Sequence, residues 1–359
     1  MQAFDYQRAR SAAQAAAAAT STVAQAMLRE PGPGGGEVLL KAGGIDLLDL
    51  MKQDLLQPAA LLDLRAVPEL AGISEQPDGS LRIGAATTLA ELAAHPLAAQ
   101  RHPALCGAVG AGATPQIRNV ATVGGNLLQR PRCWYFRSAA WHCVRKGGEH
   151  CFAMRGDNRY HAVFDNSGCA MVHPSTAATA LVALDADVEL ADARGRSRRL
   201  ALEDFLVGPQ RSLQRENDLR PQELLLALYL PRPSGTSRMA YLRQGERESS
   251  DWPLAEAAVR LDFGADATCT HAAVVLGSVA PRPHRALAAQ QELQGRRIDE
   301  ALAARAARAA LQGATPLADN AYKLPLVEAL VQRAVLAAVD LPYRESPPGV
   351  RKGDLPGRL

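Results

Sequence analysis

The sequence predicts an α+β protein built in two parts, and three observations point there. Its 359 residues exceed one ordinary domain. Strand-like and helix-like segments segregate along the chain rather than alternate strictly, which argues against a doubly wound parallel sheet. A Pro/Gly/Ser stretch, PRPSGTS, falls between two such groups and reads as a linker. The expected division is residues 1–230, with subdomains of about 1–57 and 58–230, a linker at 231–237, a smaller domain at 238–343 and a tail at 344–359.

The elements follow in order. Met1 to Leu28 reads as a strand and then an alanine-rich helix. PGPGGG turns the chain into a strand at Glu37–Lys41, and KAGGID turns it again into a helix from about Leu47. Leu61–Leu64 and Leu81–Ile83 look like strands. TTLAELAAHPLAAQ opens on threonines suited to capping and continues as an amphipathic helix. Glycine and alanine dominate from Gly107 to Asn126, and a Cys-, Arg- and Trp-rich stretch fills Leu127 to Val172. HPSTAATALVALDADVELAD returns to helix and strand, and QELLLALYLPRP is a strand stopped by prolines. Beyond the linker, AEAAVRLDF and HAAVVLGSVAP read as strands, and ALAARAARAALQG and LPLVEALVQRAVLAAV as helices.

Composition narrows the function classes. Hydrophobic residues make up 47% and charged ones 21%, enough for a packed core. A net charge of +3 without a basic run does not suit nucleic acid. No run of about 18 apolar residues is present to span a membrane. The segment SAAQAAAAATSTVAQAML lacks the Leu/Val core of a signal peptide and follows the acidic Asp5, so an amphipathic helix is expected there.

Two glycine turns are the first candidate site. Lys41-Ala42-Gly43-Gly44-Ile45-Asp46-Leu47 joins a strand to a helix, where successive N–H groups can cradle phosphate oxygens. It is not GxGxxG, so a Rossmann site is not supported. Thr122-Val123-Gly124-Gly125-Asn126 offers more N–H groups, a hydroxyl and an amide. Taken alone, each is also compatible with a plain tight turn.

KAGGIDLLDLMK, RNVATVGGNLLQ and HPSTAATALVALDADVEL, in this order, resemble the FAD-binding subunits of the xanthine oxidase (molybdenum hydroxylase) family. GSVAPRPHRA and LADNAYKLPLVEALVQRAV look like that family's C-terminal flavoprotein domain. The resemblance covers nearly the whole chain. It implies a two-subdomain PCMH-type FAD-binding domain followed by a small α+β CO-dehydrogenase-flavoprotein-like domain. Carried over by motif, the FAD residues are Lys41, Ala42, Gly43, Gly44, Ile45, Asp46, Leu47, Thr122, Gly124, Gly125 and Asn126. Arg243, in AYLRQGERE, falls where relatives often place a lysine near the flavin. Relatives commonly read HPSD where this chain has His173-Pro174-Ser175-Thr176, so at Thr176 a hydroxyl replaces the carboxylate.

The cysteine-rich stretch is the second candidate site. Cys133, Cys143, Cys151 and Cys169 cluster there with no CxxC pair, and Cys106 and Cys269 lie apart in apolar surroundings. Chemistry alone leaves an iron–sulfur cluster, zinc and unligated thiols open. The insert, with RCWYFR and NRYHAVF, is similar to that in the medium subunits of periplasmic aldehyde oxidoreductases, which implies a [4Fe–4S] cluster on the four cysteines. Arg130, Arg132, Arg137, Arg145 and Lys146 are placed to balance thiolate and phosphate charge, and His142 and His150 are reserve ligands.

No Ser/His/Asp grouping, HExxH or P-loop is present, so no hydrolase or kinase chemistry is indicated. The resemblance implies that catalysis belongs to cofactors, which the protein positions and tunes, with no acid–base side chain of this chain required. The resemblance implies an FAD subunit that receives electrons from [2Fe–2S] clusters on a small subunit. A molybdopterin-binding large subunit oxidises an aldehyde or heteroaromatic ring, and an external acceptor takes the electrons. The complex is expected in the cytoplasm, or in the periplasm by co-export with a signal-bearing partner. Two other readings remain: a stand-alone vanillyl-alcohol-type flavoprotein oxidase, and a non-catalytic iron–sulfur or zinc scaffold.

Overall fold

A computed structural model of the chain describes residues 1–29 and 36–343. Most of the PGPGGG turn and the 344–359 tail lie outside these residues. The described residues form twelve strands in three sheets. The strands are β1 (Asp5–Arg8), β2 (Val38–Lys41), β3 (Ala60–Asp63), β4 (Ile73–Glu75), β5 (Leu81–Gly84), β6 (Asp187–Asp192), β7 (Ser197–Ala201), β8 (Glu223–Leu230), β9 (Arg238–Gln244), β10 (Ala255–Phe263), β11 (Cys269–Gly277) and β12 (His284–Arg285).

The first sheet is parallel, in the order β1-β3-β2, with Ala60 of β3 opposite Asp5 on one side and Val38 on the other. Parallel neighbours need crossovers. Helices Ala12–Ala18 and Val23–Ala26 supply one, and helix Ile45–Lys52 the other. All four residues of β3 are buried, as suits the centre of a covered parallel sheet. The expected subdomain break at about residue 57 therefore falls too early, because β3 completes the first sheet rather than opening the second.

The second sheet, β4-β5-β8-β6-β7, is antiparallel throughout. Leu81, Ile83, Val188, Leu190, Leu228 and Leu230 from it join the main core with helix Thr176–Ala183, every residue of which is buried. The long helix expected from TTLAELAAHPLAAQ is two. Leu89–Ala94 starts on a Thr88/Glu91 capping box, and Pro96 forces a new start at Pro96–Arg101. Part of the Gly/Ala stretch is also helical, at Pro103–Ala111. Its small residues leave no polar face to mark the period.

The third sheet, β12-β11-β10-β9, is antiparallel, and helices Leu287–Leu293, Glu300–Ala309 and Lys323–Ala338 share a core with one of its faces. From its other face Ala258 and Val275 enter the main core. Residues 231–237 thus connect two parts that pack directly on one another.

Residues 127–172 contain no strand and only short 3₁₀ turns after Leu127. They form a strap to the C-terminal part. The N–H groups of Val163 and Phe164 donate to the Val279 carbonyl, at 2.8 and 3.1 Å. The Asn320 side chain, fully buried, donates to the carbonyls of His161 and Ala162, at 3.2 Å each. Lys323 Nζ donates to the carbonyls of Tyr160 and Ser278, both at 3.0 Å.

Candidate functional site

A cleft of about 570 Å³ opens between the first and second sheets. Lys41, Ala42, Gly43, Gly44, Ile45, Asp46 and Leu47 line it from one side, and Thr122, Gly124, Gly125 and Asn126 from the other. The two turns touch. A Cβ on Gly43 would stand 2.2 Å from the Val120 carbonyl oxygen, so only glycine lets them meet. Gly44 has φ +81° and begins helix Ile45–Lys52 without a side-chain cap. The N–H groups of Gly43, Gly44, Ile45 and Asp46 find no acceptor among the described residues. A row of free N–H groups at a helix start is a site for an oxyanion, and it fits a diphosphate.

The second turn works differently from expectation. Val123 N–H donates to the Thr87 carbonyl, Gly124 N–H to Ala85 and Asn126 N–H to Thr122, at 2.8, 2.9 and 2.8 Å. Gly125 N–H donates to Thr122 Oγ1 at 3.1 Å. These donors hold the short helix Val123–Leu127 in place and are not free for a ligand. What the turn offers is the Thr122 hydroxyl, the Asn126 amide and room: a Cβ on Gly125 would meet only Thr122 Oγ1, at 3.0 Å. Asn126 is fixed by Ser175 Oγ, which donates to its Oδ1 at 2.6 Å.

Charge beneath the first turn is organised by Asp63 at the end of β3. Burial opposes its ionisation. The Arg65 guanidinium at 2.8 Å, the Tyr6 hydroxyl and nearby Lys41 outweigh burial and hold the carboxyl well below the usual range. Lys41 is itself buried, which lowers its pKa, and its stem runs under Gly44. Asp46 turns its carboxylate away from the free N–H row. It accepts from Arg132 at 2.9 Å, Arg137 at 2.5 Å and the Arg130 N–H at 2.8 Å, tying the insert to the turn.

Two expected residues lie elsewhere. Thr176 does not line the cleft; it begins the buried helix and faces Gly112. Arg243 is on the edge strand β9, and its guanidinium donates to the carbonyls of Ala111 and Asp251, bracing the third sheet against the helix Pro103–Ala111. Sequence reading missed Glu216, Gln214 and Trp252, which do line the cleft. Trp252 is 52% exposed and lies 4.9 Å from the Arg132 guanidinium. No motif marks these residues, because they arrive from loops remote in sequence.

Behind the first turn the four insert cysteines converge. Cys133, Cys143, Cys151 and Cys169 line one small cavity with Tyr135, Phe136, Phe152, Met171 and Arg145. Backbone N–H groups of Tyr135 and Phe136 point at the Cys133 sulfur, those of Ala153 and Ala170 at Cys151, and that of Met171 at Cys169. Such donors favour sulfur in its anionic, ligating form. The Cys151 thiol and then the Arg145 guanidinium draw the Cys169 pKa down, the same contact raises that of Cys151, and burial pushes Cys133 up to about 12. Among the described residues no three such side chains close on a single metal-ion position. The expected reserve ligands play no part: His150 is exposed, and neither it nor His142 lines the cavity. His161 does reach the cage, with Nε2 3.2 Å from the Cys133 sulfur. Two of the insert's basic residues are packed inside the protein. Arg130 and Arg145 are 2% and 1% exposed, and Lys146 donates to the Ser138 carbonyl.

Comparison with known proteins agrees with this geometry. The family described as the FAD binding domain in molybdopterin dehydrogenase matches residues 2–233, and the CO dehydrogenase flavoprotein C-terminal domain matches 240–338. The chain is 36% identical to the aldehyde oxidoreductase FAD-binding subunit PaoB of Escherichia coli over 91% of its own length and 96% of that protein. It is 28% identical to the carbon monoxide dehydrogenase medium chain of Hydrogenophaga pseudoflava, over 85% and 90% of the two chains. The structure of quinoline 2-oxidoreductase from Pseudomonas putida superposes with a TM-score of 0.69 at 27% identity, covering 94% of this chain and 98% of the other. No helix among the described residues is long and apolar enough to cross a membrane. The chain belongs to the FAD-binding subunits of the molybdopterin dehydrogenases, and it is a subunit of an oxidoreductase.

Proposed function

We propose that this chain carries FAD with the diphosphate at the Gly43–Asp46 turn and passes electrons within an aldehyde-oxidising molybdenum hydroxylase of three kinds of subunit. The observation that carries the FAD placement is the row of unpartnered N–H groups at the start of helix Ile45–Lys52. Thr122, Gly125 and Asn126 supply a hydroxyl, an open face and an amide across the cleft. FAD, once bound, supplies the two-electron chemistry that links [2Fe–2S] clusters on a small subunit to an external acceptor. The large subunit brings the molybdopterin cofactor and the substrate. Likeness to an aldehyde oxidoreductase subunit over 91% of the chain supports the aldehyde class. Thr176 and Arg243 act on this site indirectly, through the helix and strand they brace.

In the same reading, Cys133, Cys143, Cys151 and Cys169 hold a [4Fe–4S] cluster, for which the converging sulfurs and their N–H donors are the support. A cube binds each thiolate through a different iron, so it does not require three ligands on one ion. The site of action is the cytoplasm, or the periplasm by co-export with a partner.

Purification from the native host tests these points together. The chain should bring two companion proteins and a flavin spectrum. Iron analysis should find about four atoms per chain beyond those of the [2Fe–2S] subunit. A colourless chain would favour the scaffold reading, and alcohol oxidation by the isolated chain the stand-alone oxidase. Zinc in place of iron would remove the cluster and leave FAD untouched. Cell fractionation decides the compartment.

A further inference from the structure

Between the cysteine cage and the cleft lies a buried ionic chain that neither site by itself explains. Arg145 Nε donates to the Cys169 sulfur at 3.5 Å, and its Nη1 donates to Glu216 Oε1 at 2.7 Å. The same carboxylate oxygen accepts from Arg130 Nη2 at 2.9 Å. Arg130 in turn gives its backbone N–H to Asp46, at the start of the helix behind the free N–H row. Arg130, Arg145 and Glu216 are 2%, 1% and 3% exposed, so water does not screen them.

Three features make this more than a structural ion pair. First, two arginines share one carboxylate, which leaves a net positive charge beside four sulfurs. Second, Arg145 lines the cysteine cavity and its Nη2 is buried without a partner, a donor suited to an acceptor that enters the cage. Third, Arg130 and Glu216 line the cleft while Arg145 lines the cage, so one carboxylate touches the machinery of both.

We propose that Arg145 sets the reduction potential of the group held by the four cysteines, and that Glu216 is the positioning residue that aims it. This rests on the [4Fe–4S] reading above. Reduction adds one electron and makes the cluster more negative. A fixed cation that donates to a ligating sulfur would stabilise that reduced form and raise the potential. Glu216 partly offsets this cation and fixes the direction of its donors. Because Glu216 is shared with Arg130, the charge state of the cage is felt at the flavin cleft.

The test is a redox titration of the anaerobically purified complex, followed by the cluster's electron paramagnetic resonance signal, with flavin content as the check on folding. Arg145→Gln should disfavour reduction at least tenfold, a lowering of about 59 mV for one electron. Arg145→Lys, which keeps the charge, should recover part of that loss. Glu216→Gln should shift the potential upward, because a buried negative charge is gone. A merely structural role would not produce shifts of opposite sign. Should Glu216→Gln fail to assemble, the two Arg145 variants still decide, since equal potentials for them overturn the inference. Wild-type protein without iron overturns the cluster reading and this inference with it. A wild-type cluster whose potential none of the variants moves overturns this inference alone.

Discussion

The FAD cleft and the cysteine cage stand on either side of Arg130 and Glu216, yet they are held up by different forces. Both cleft turns grow out of elements with apolar cores. Leu39, Leu50, Met51 and Leu61 back the first turn, and Val123, Leu127, Leu181 and Leu228 back the second. The insert's own fully buried clusters hold only three residues each: Tyr135, Ala153 and Ala170, and then Val144, Cys169 and Met171. Phe136 and Cys143 also reach into the core behind the first turn, and Val163 and Phe164 into the C-terminal core, but much of the insert is held by directed bonds: Arg137 to Asp46, Arg145 to Glu216, Asn320 to His161 and Ala162. A site backed by a core is preformed. A site made largely of directed bonds around four sulfurs needs a cross-link to hold its shape, and the cluster proposed above would provide one by coupling loop order to metal.

The largest break in this contrast should come from the cage. Cys169→Ser is expected to abolish the cluster iron and to open residues 133–171 to proteolysis, while the third sheet stays folded. Iron analysis and limited digestion of the purified complex check this. Digestion unchanged from wild type would mean that the insert holds itself without the cluster.

At the cleft the expected damage is narrower. In Gly125→Val the new side chain meets Thr122 Oγ1 and otherwise projects into the cleft, so flavin content should fall at least tenfold with the melting temperature of the apo-protein nearly unchanged. Gly43→Val should differ, because its side chain strikes the Val120 backbone and drives the two turns apart. Thermal melts beside flavin spectra separate the two. Equal stability losses in both variants would contradict the assignment of one glycine to ligand space and the other to turn packing.

A smaller effect is expected where the insert meets the C-terminal part. Asn320→Ala removes two donors to buried carbonyls and should cost about 1–3 kcal/mol, the usual penalty for stranding buried polar groups. Denaturant titration of the complex reads it.

How far the sequence disclosed this arrangement depends on the kind of signal each part leaves. KAGGID and ATVGGN are local, so both turns were legible, and so was the gathering of four cysteines in one insert. The division of labour between the turns was not, since only the fold shows that the N–H groups of Val123–Asn126 are spent on Thr87, Ala85 and Thr122. β3 was assigned across the wrong boundary because parallel pairing joins residues far apart in sequence. His161 and Glu216 carry no motif, and chain folding alone brings them to the cage and the cleft.

The same seam between insert and C-terminal part yields the subtlest prediction, because Lys323 is buried there with only carbonyl oxygens for partners. Burial lowers its pKa from the usual 10.5 to about 7. Between those values the unfolded chain binds more protons than the folded one, so stability should rise with pH from about 7 toward 10.5. The upper limit of that slope is about 1.4 kcal/mol per pH unit for one proton. The observed slope should be gentler, since the carbonyls of Tyr160 and Ser278 accept well from the ammonium form. Below pH 7 the lysine is charged in both states and contributes no slope. Lys323→Met removes the group while keeping most of its length. Other titrating groups are common to both proteins, so the difference between wild-type and variant stability isolates this residue. Denaturant melts between pH 6 and 10 should show wild type gaining on the variant as pH rises. A flat difference would mean that Lys323 stays charged in its pocket throughout, held by the two carbonyls more firmly than burial opposes it.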